Sequence, residues 1–172
     1  MNDYNWPQDF RKIFDHAINL YREGKRDSSA FFDSEQLAFL SAMGCKAQEL
    51  YDFAEDTVSY GEPPWETVLL IASVRREYFE HVQKGVPSGK THSMSDFPGK
   101  TDAVDGIVWL PRIIMKARCK LRGELPHDMM YGCGGDRDFL SRHKIHPAHF
   151  LRLVWSAGDD DRKIIDWVKS RS

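Results

Sequence analysis

Along most of this chain the apolar residues return every three or four positions, and nearly every such run is closed by glycine or opened by proline or an acid. That rhythm constrains the fold more than any other feature. A period near 3.6 gives a helix one apolar side, whereas a strand needs alternation of period two, and nothing here alternates long enough to suggest a sheet. Phe10, Ile13, Phe14, Ala17, Ile18 and Tyr21 define a first helix that stops at Gly24. Leu37, Phe39, Leu40 and Met43 define a second, capped by Asp33 or Ser34 and ended by Gly44. A third covers about Ala47 to Tyr60, with Leu50, Phe53, Ala54 and Val58 on one side, and is broken by Gly61 and Pro63-Pro64. Pro64 suits the first turn of a fourth helix, which carries Val68, Leu69, Ile71, Ala72, Val74, Phe79 and Val82 and ends near Gly85.

Between Gly85 and Gly106 the pattern vanishes into "GVPSGKTHSMSDFPGKTDAVDG", which reads as a linker or a long surface loop. Helices resume from Val108 or Leu110 to Arg122, from Asp136 to His143, from Pro147 to about Ser156, and after the Asp159-Asp160-Asp161 cap with Ile164, Ile165, Trp167 and Val168. The expectation is an all-α bundle of about eight helices. Shifting the chain by about one hundred residues lays Ile13 on Ile113, Ala17 on Ala117, Arg22 on Arg122, and the "FLS" at Phe39 on the "FLS" at Phe139. The expected organisation is therefore two similar four-helix units, residues 1–85 and 107–172, the second packed on the first, with 86–106 between them. Phe39, Leu40, Phe139 and Leu140 should all be buried.

Composition excludes several classes of function. A net charge of −2 and a pI near 6.4 leave no positive field for nucleic acid. No apolar run approaches membrane-spanning length, and "MNDYNWPQDF" lacks the basic start and apolar core of a signal peptide. Three cysteines, Cys45, Cys119 and Cys133, without metal-type pairing, fit a reducing cytoplasm better than a disulfide framework. No cofactor is expected, and oligomeric state is not legible.

Four constellations bear on chemistry. In "PRIIMKARCKLRG", Arg112, Lys116 and Lys120 stand at four-residue steps on one helix face, with Arg118 and Arg122 beside them. They suit an anionic ligand or an acidic partner, or else a solvated face paired internally with acids such as Glu55, Asp56 or Asp159 to Asp161. In "MMYGCGGDRDF", Tyr131, Cys133, Gly134, Gly135, Asp136 and Arg137 form a helix-start loop. Its glycines and free N–H groups suit an anion, although Asp136 competes as the cap; Cys133 is a nucleophile only if its thiolate is favoured. His143, His146 and His149, with His127 and Cys133, have spacing that suits zinc, but Pro147 interrupts the helix and no metal site is assigned. Glu62 and Glu66, near Tyr60, Trp65, Arg75, Arg76 and Glu77, serve acid–base chemistry only in a dry setting and otherwise serve caps and surface pairs.

Two passages resemble an uncharacterised bacterial family, domain of unknown function 5069. One runs from Ser34 to Phe79, and the other is "LPRIIMKARCKLRGELPHDMMYGCGGDRDFL", followed by the terminal "IIDWV". The more specific pieces are Leu110-Pro111-Arg112, Lys116-Ala117-Arg118, Leu121, Gly123, Tyr131, Asp136 and Trp167. The resemblance implies a small soluble helical protein and transfers no catalytic residue. Two readings follow. One is a non-enzymatic binding module for an anionic small ligand or an acidic protein surface, with no nucleic acid or membrane partner. In that reading the candidate binding residues are Arg112, Lys116, Tyr131, Cys133, Gly134, Gly135, Asp136 and Arg137. The other is a small enzyme on a phosphorylated or carboxylate substrate, oriented by Arg112 and Lys116, with Cys133 or Asp136 reacting.

Overall fold

A computed structural model describes residues 4–171. The chain divides into two compact units, Met1–Val86 and Pro87–Ser172. Among the described residues there are eight α-helices and one very small antiparallel sheet. None of those helices is long and apolar enough to cross a membrane.

In the first unit α1 (Trp6–Arg22) packs against α3 (Ala47–Tyr60). The helical spacing brings Phe10, Ile13, Phe14 and Ala17 to one side of α1 and Leu50, Phe53 and Ala54 to one side of α3, and all are buried. Each such side chain contributes about 1.5–3 kcal/mol through the area it removes from water, the smaller alanines less. α4 (Trp65–His81) starts with Trp65 stacked on Phe14 at 5.6 Å between ring centres. α2 (Ser34–Ala42) is opened by a reciprocal cap, in which Asp33 accepts from the Gln36 N–H and the Gln36 side chain accepts from the Asp33 N–H.

The second unit begins with the segment that lacks helical periodicity, and that segment is tied down. The His92 N–H donates to the Glu124 carbonyl at 3.0 Å, Phe97 is buried, and the Pro98 carbonyl accepts from Arg112 Nη1 at 2.5 Å. It ends in a hairpin of β1 (Ala103–Val104) and β2 (Ile107–Val108), paired Ala103 with Val108 and Val104 with Ile107. Asp105 and Gly106 both have positive φ, 51° and 80°, as the tightest hairpin turn requires. This corrects the expectation of helices alone. Two-residue strands are too short to register as alternation, although the Asp-Gly pair is the turn's own signal.

α5 (Leu110–Arg122) then packs against α7 (Pro147–Ala157), which also meets α6 (Gly134–Arg142) and α8 (Asp161–Lys169). Leu110, Ile113, Ile114 and Ala117 of α5 and Phe150, Leu151 and Val154 of α7 are all buried. α8 reaches the hairpin through Asp105, which accepts from Arg162 Nη1 at 2.9 Å and Lys169 Nζ at 3.1 Å.

Leu40, Phe139 and Leu140 are buried as expected, but Phe39 is only partly covered. One turn of helix cannot hide two adjacent large side chains unless a neighbour covers both. Phe139→Ala should therefore cost about 3–5 kcal/mol in denaturant melts. Phe39→Ala should cost clearly less, and equal losses would show that the two helix faces are covered alike.

Candidate functional site

The site grows from one lysine. Lys116 leaves α5 between Ile113 and Lys120, and its ammonium is taken out of water, with 3 % of the side chain exposed. A buried charge persists only when it is paired and hydrogen-bonded. Its partner is Asp136, fully buried in the first turn of α6, whose Oδ2 accepts a hydrogen bond from Lys116 Nζ. The same ammonium lies 3.2 Å from Cys133 Sγ. Asp136 Oδ2 also accepts the Gly132 N–H at 2.9 Å, and Oδ1 accepts the Trp109 indole N–H at 3.0 Å. Three donors thus replace the water that the carboxylate lost.

Local structure delivers each partner. Trp109 precedes α5 with φ of 76°, a conformation that a bulky residue adopts only when its surroundings impose it. That backbone swing lays the indole against α6, where Gly135 leaves room. A Cβ there would stand 2.7 Å from the ring atoms Cη2 and Cζ2. Cys133 sits at the N-cap of α6, half-buried. Arg137 reaches back one turn and donates from Nη1 to the Gly132 carbonyl at 2.7 Å. Tyr131 is 1 % exposed and its hydroxyl donates to the Pro147 carbonyl at 2.7 Å. Burial first, and the negative charge of Asp136 second, push that phenol well above its ordinary pKa.

The loop and the basic helix are therefore neighbours, and Lys116, Cys133 and Asp136 come into direct contact. The remaining expected residues take other places. Tyr131 lies inside the unit, Gly135 lies beneath Trp109, and Arg112 is engaged by the Pro98 carbonyl. Gly134 is exposed. Asp136 does not act as the N-cap of α6; the N-cap is Cys133, without a side-chain cap bond, because Asp136 is drawn to the lysine and the indole. Trp109 escaped the sequence reading. The glycine pair ahead of Asp136 signalled a close approach at that turn but could not say which residue approaches.

Other basic residues of α5 meet internal partners. Arg118 donates to the Gly158 carbonyl at 2.9 Å and pairs with Asp161 at 2.5 Å, and Arg122 lies 3.7 Å from Asp159. The histidines serve separate contacts: His146 caps α7 by accepting from the Ala148 N–H, His149 meets the Trp167 ring, and His143 meets Phe139. Desolvation, above all, lowers the pKa of both His143 and His146. In the first unit Tyr60, Glu62 and Glu66 are exposed, while Arg75 and Arg76 are buried, Arg76 pairing with Glu80 at 2.7 Å.

One group of metal-type donors stands elsewhere. His92, Cys119 and Glu124 bring a ring nitrogen, a sulfur and a carboxylate oxygen within 4.8 Å of one another. Desolvation, reinforced by Glu124, pushes the Cys119 thiol up to about 11. Sequence spacing could not reveal this trio, because one ligand comes from the irregular segment and the others flank a helix end.

Fold and site together define the class of the second unit: a small helical domain organised around a buried lysine–aspartate pair. Residues 98–172 match the model of a family described as a domain of unknown function, DUF5069. The match takes in the second of the two passages that resembled that family and the terminal "IIDWV", while residues 34–79 lie outside it. No curated protein and no solved structure matches the chain significantly.

The two glycines make the geometry testable. Gly135→Ala should destabilise by roughly 1–3 kcal/mol, because the ring it meets is fixed by its hydrogen bond to Asp136. Gly134→Ala, with no atom nearer than Arg137 Nη2 at 3.9 Å, should be neutral or slightly stabilising. Thermal melts showing the same sign for both would contradict the packing.

Proposed function

We propose that the protein is a non-enzymatic binding module that receives an anionic small ligand, or an acidic protein surface, at the start of α6. The observation that carries this reading is the exposure of Gly134, the first residue of that helix, where a side chain would meet no other part of the chain within 4 Å except Arg137 Nη2 at 3.9 Å. The first N–H groups of a helix lack intrahelical acceptors and attract anions. Lys116 contributes little net charge, because Asp136 balances it; its part is to hold the turn that presents those groups. That Cys45, Cys119 and Cys133 are not joined in disulfides supports a reducing, cytoplasmic setting.

A second reading rests on the Lys116–Cys133 contact. The Lys116 ammonium donates a hydrogen bond to the half-buried Cys133 sulfur at 3.2 Å, which holds in place an atom able to serve as a nucleophile. In that reading the protein is a small enzyme acting on a phosphorylated or carboxylate substrate.

A thermal-shift screen against phosphorylated metabolites and carboxylic acids tests both, since a ligand that binds the native state raises the melting temperature. The expected result is at least one anion that stabilises the wild type. Gly134→Pro removes an N–H that the helix does not need and keeps a residue suited to that position, so it should abolish the shift and leave the ligand-free melt within a few degrees. A shift that survives Gly134→Pro places binding elsewhere. A compound that is consumed by the wild type and untouched by Cys133→Ala selects the enzyme.

We further infer that the two units arose by internal duplication. In support, α2 and α6 are offset by one hundred residues at both ends. The turns that follow match as well: Gly44 and Lys144 have φ of 69° and 55°, and Cys45 and Ile145 each donate at 2.9 Å to the carbonyl of Leu40 and Leu140. α1 packs on α3 as α5 packs on α7. His16 and Gln36 stand where the second unit has Lys116 and Asp136, so the ion pair is particular to the second unit.

A further inference from the structure

We propose that His92, Cys119 and Glu124 form a binding site for a divalent transition metal, with zinc the best fit to the donor set. This inference is independent of the anion-binding reading, because it uses other residues. An imidazole, a thiolate and a carboxylate are the ligand types zinc takes, and the sulfur disfavours magnesium and calcium.

The geometry is that of a site prepared for an ion. The three donors lie within 4.8 Å of one another. His92 Nε2 and Glu124 Oε2 are 3.6 Å apart, too far for a hydrogen bond. Two ligands sharing one tetrahedral zinc at ordinary bond lengths stand about 3.4 Å apart, so a slight contraction completes that edge.

Each ligand is also aimed. His92 Nδ1 lies 3.1 Å from Asp96 Oδ2. With Nδ1–H donating to that carboxylate, the lone pair of Nε2 is directed at the trio, the arrangement by which a second carboxylate orients a metal-binding imidazole. The Ser88 hydroxyl donates to Glu124 Oε1, leaving Oε2 for the ion. Backbone bonds fix the three ligands to one another: the His92 N–H donates to the Glu124 carbonyl at 3.0 Å, and the Glu124 N–H donates to the Cys119 carbonyl at 2.8 Å. Cys119 and Glu124 are buried, which shields the site from competing water, while 17 % of the His92 side chain is exposed and gives an ion a way in. Three protein ligands leave a fourth tetrahedral position for water or a small ligand.

The test is a titration of the full, chelator-treated chain with Co²⁺, followed by displacement with Zn²⁺. One Co²⁺ per chain should bind, with a thiolate-to-cobalt charge-transfer absorption that zinc abolishes, and zinc should raise the melting temperature. Cys119→Ala should remove the absorption. Cys45→Ala and Cys133→Ala should keep it. His92→Gln changes a residue outside the helices, so it reports on binding even if Cys119→Ala fails to fold. It should weaken cobalt binding about tenfold or more, and Asp96→Asn should weaken it about tenfold to a hundredfold. Absence of the absorption in the wild type overturns the proposal. So does unchanged affinity in His92→Gln, or an absorption that disappears with Cys133→Ala rather than Cys119→Ala.

Discussion

The second unit depends on the neutralisation of one buried charge. Lys116 and Asp136 are each almost completely removed from water, and each would be strongly destabilising without the other. Their attraction offsets desolvation only because the remaining capacity of the carboxylate is filled by the Gly132 N–H and the Trp109 indole. Such a pair adds little to net stability compared with a packed apolar core. What it specifies is arrangement, since a slip of α6 along α5 by one residue would leave two charges unpartnered.

Several odd features of the chain follow from that requirement. Trp109 takes a left-handed backbone conformation because its ring must reach Asp136 across α6. Gly135 is glycine because that ring lies where a Cβ would be. Cys133 is held beside an ammonium because it occupies the N-cap position of the helix that carries Asp136. The glycine-rich loop is thus a structural junction first, and Gly134 is the part of it that remains turned outward.

The helices were legible because their information is local. Spacing of Phe10, Ile13, Phe14 and Ala17 names the buried side of α1 without knowledge of what covers it, and the stops at Gly44, Gly61 and Gly123 need no partner either. The ion pair was not legible. Lys116 stands in register with Arg112 and Lys120, so the pattern describes a basic face, and only tertiary packing shows that this face is partly interior. The His92 trio was hidden for the same reason, since its ligands are distant in sequence or separated by a helix end. Phe39 failed in the opposite direction, because apolarity alone does not provide a neighbour to cover it.

The central claim is that Lys116 and Asp136 act as one unit, and a double-mutant cycle measures that directly. Lys116→Met and Asp136→Leu should each lose about 3–5 kcal/mol, because each strands a buried charge. The double variant, with no charge left to strand, should lose no more than the worse single variant, which gives a large favourable coupling. Losses that add to within about 0.5 kcal/mol would mean the two side chains do not depend on each other, and would contradict the organisation described for the second unit.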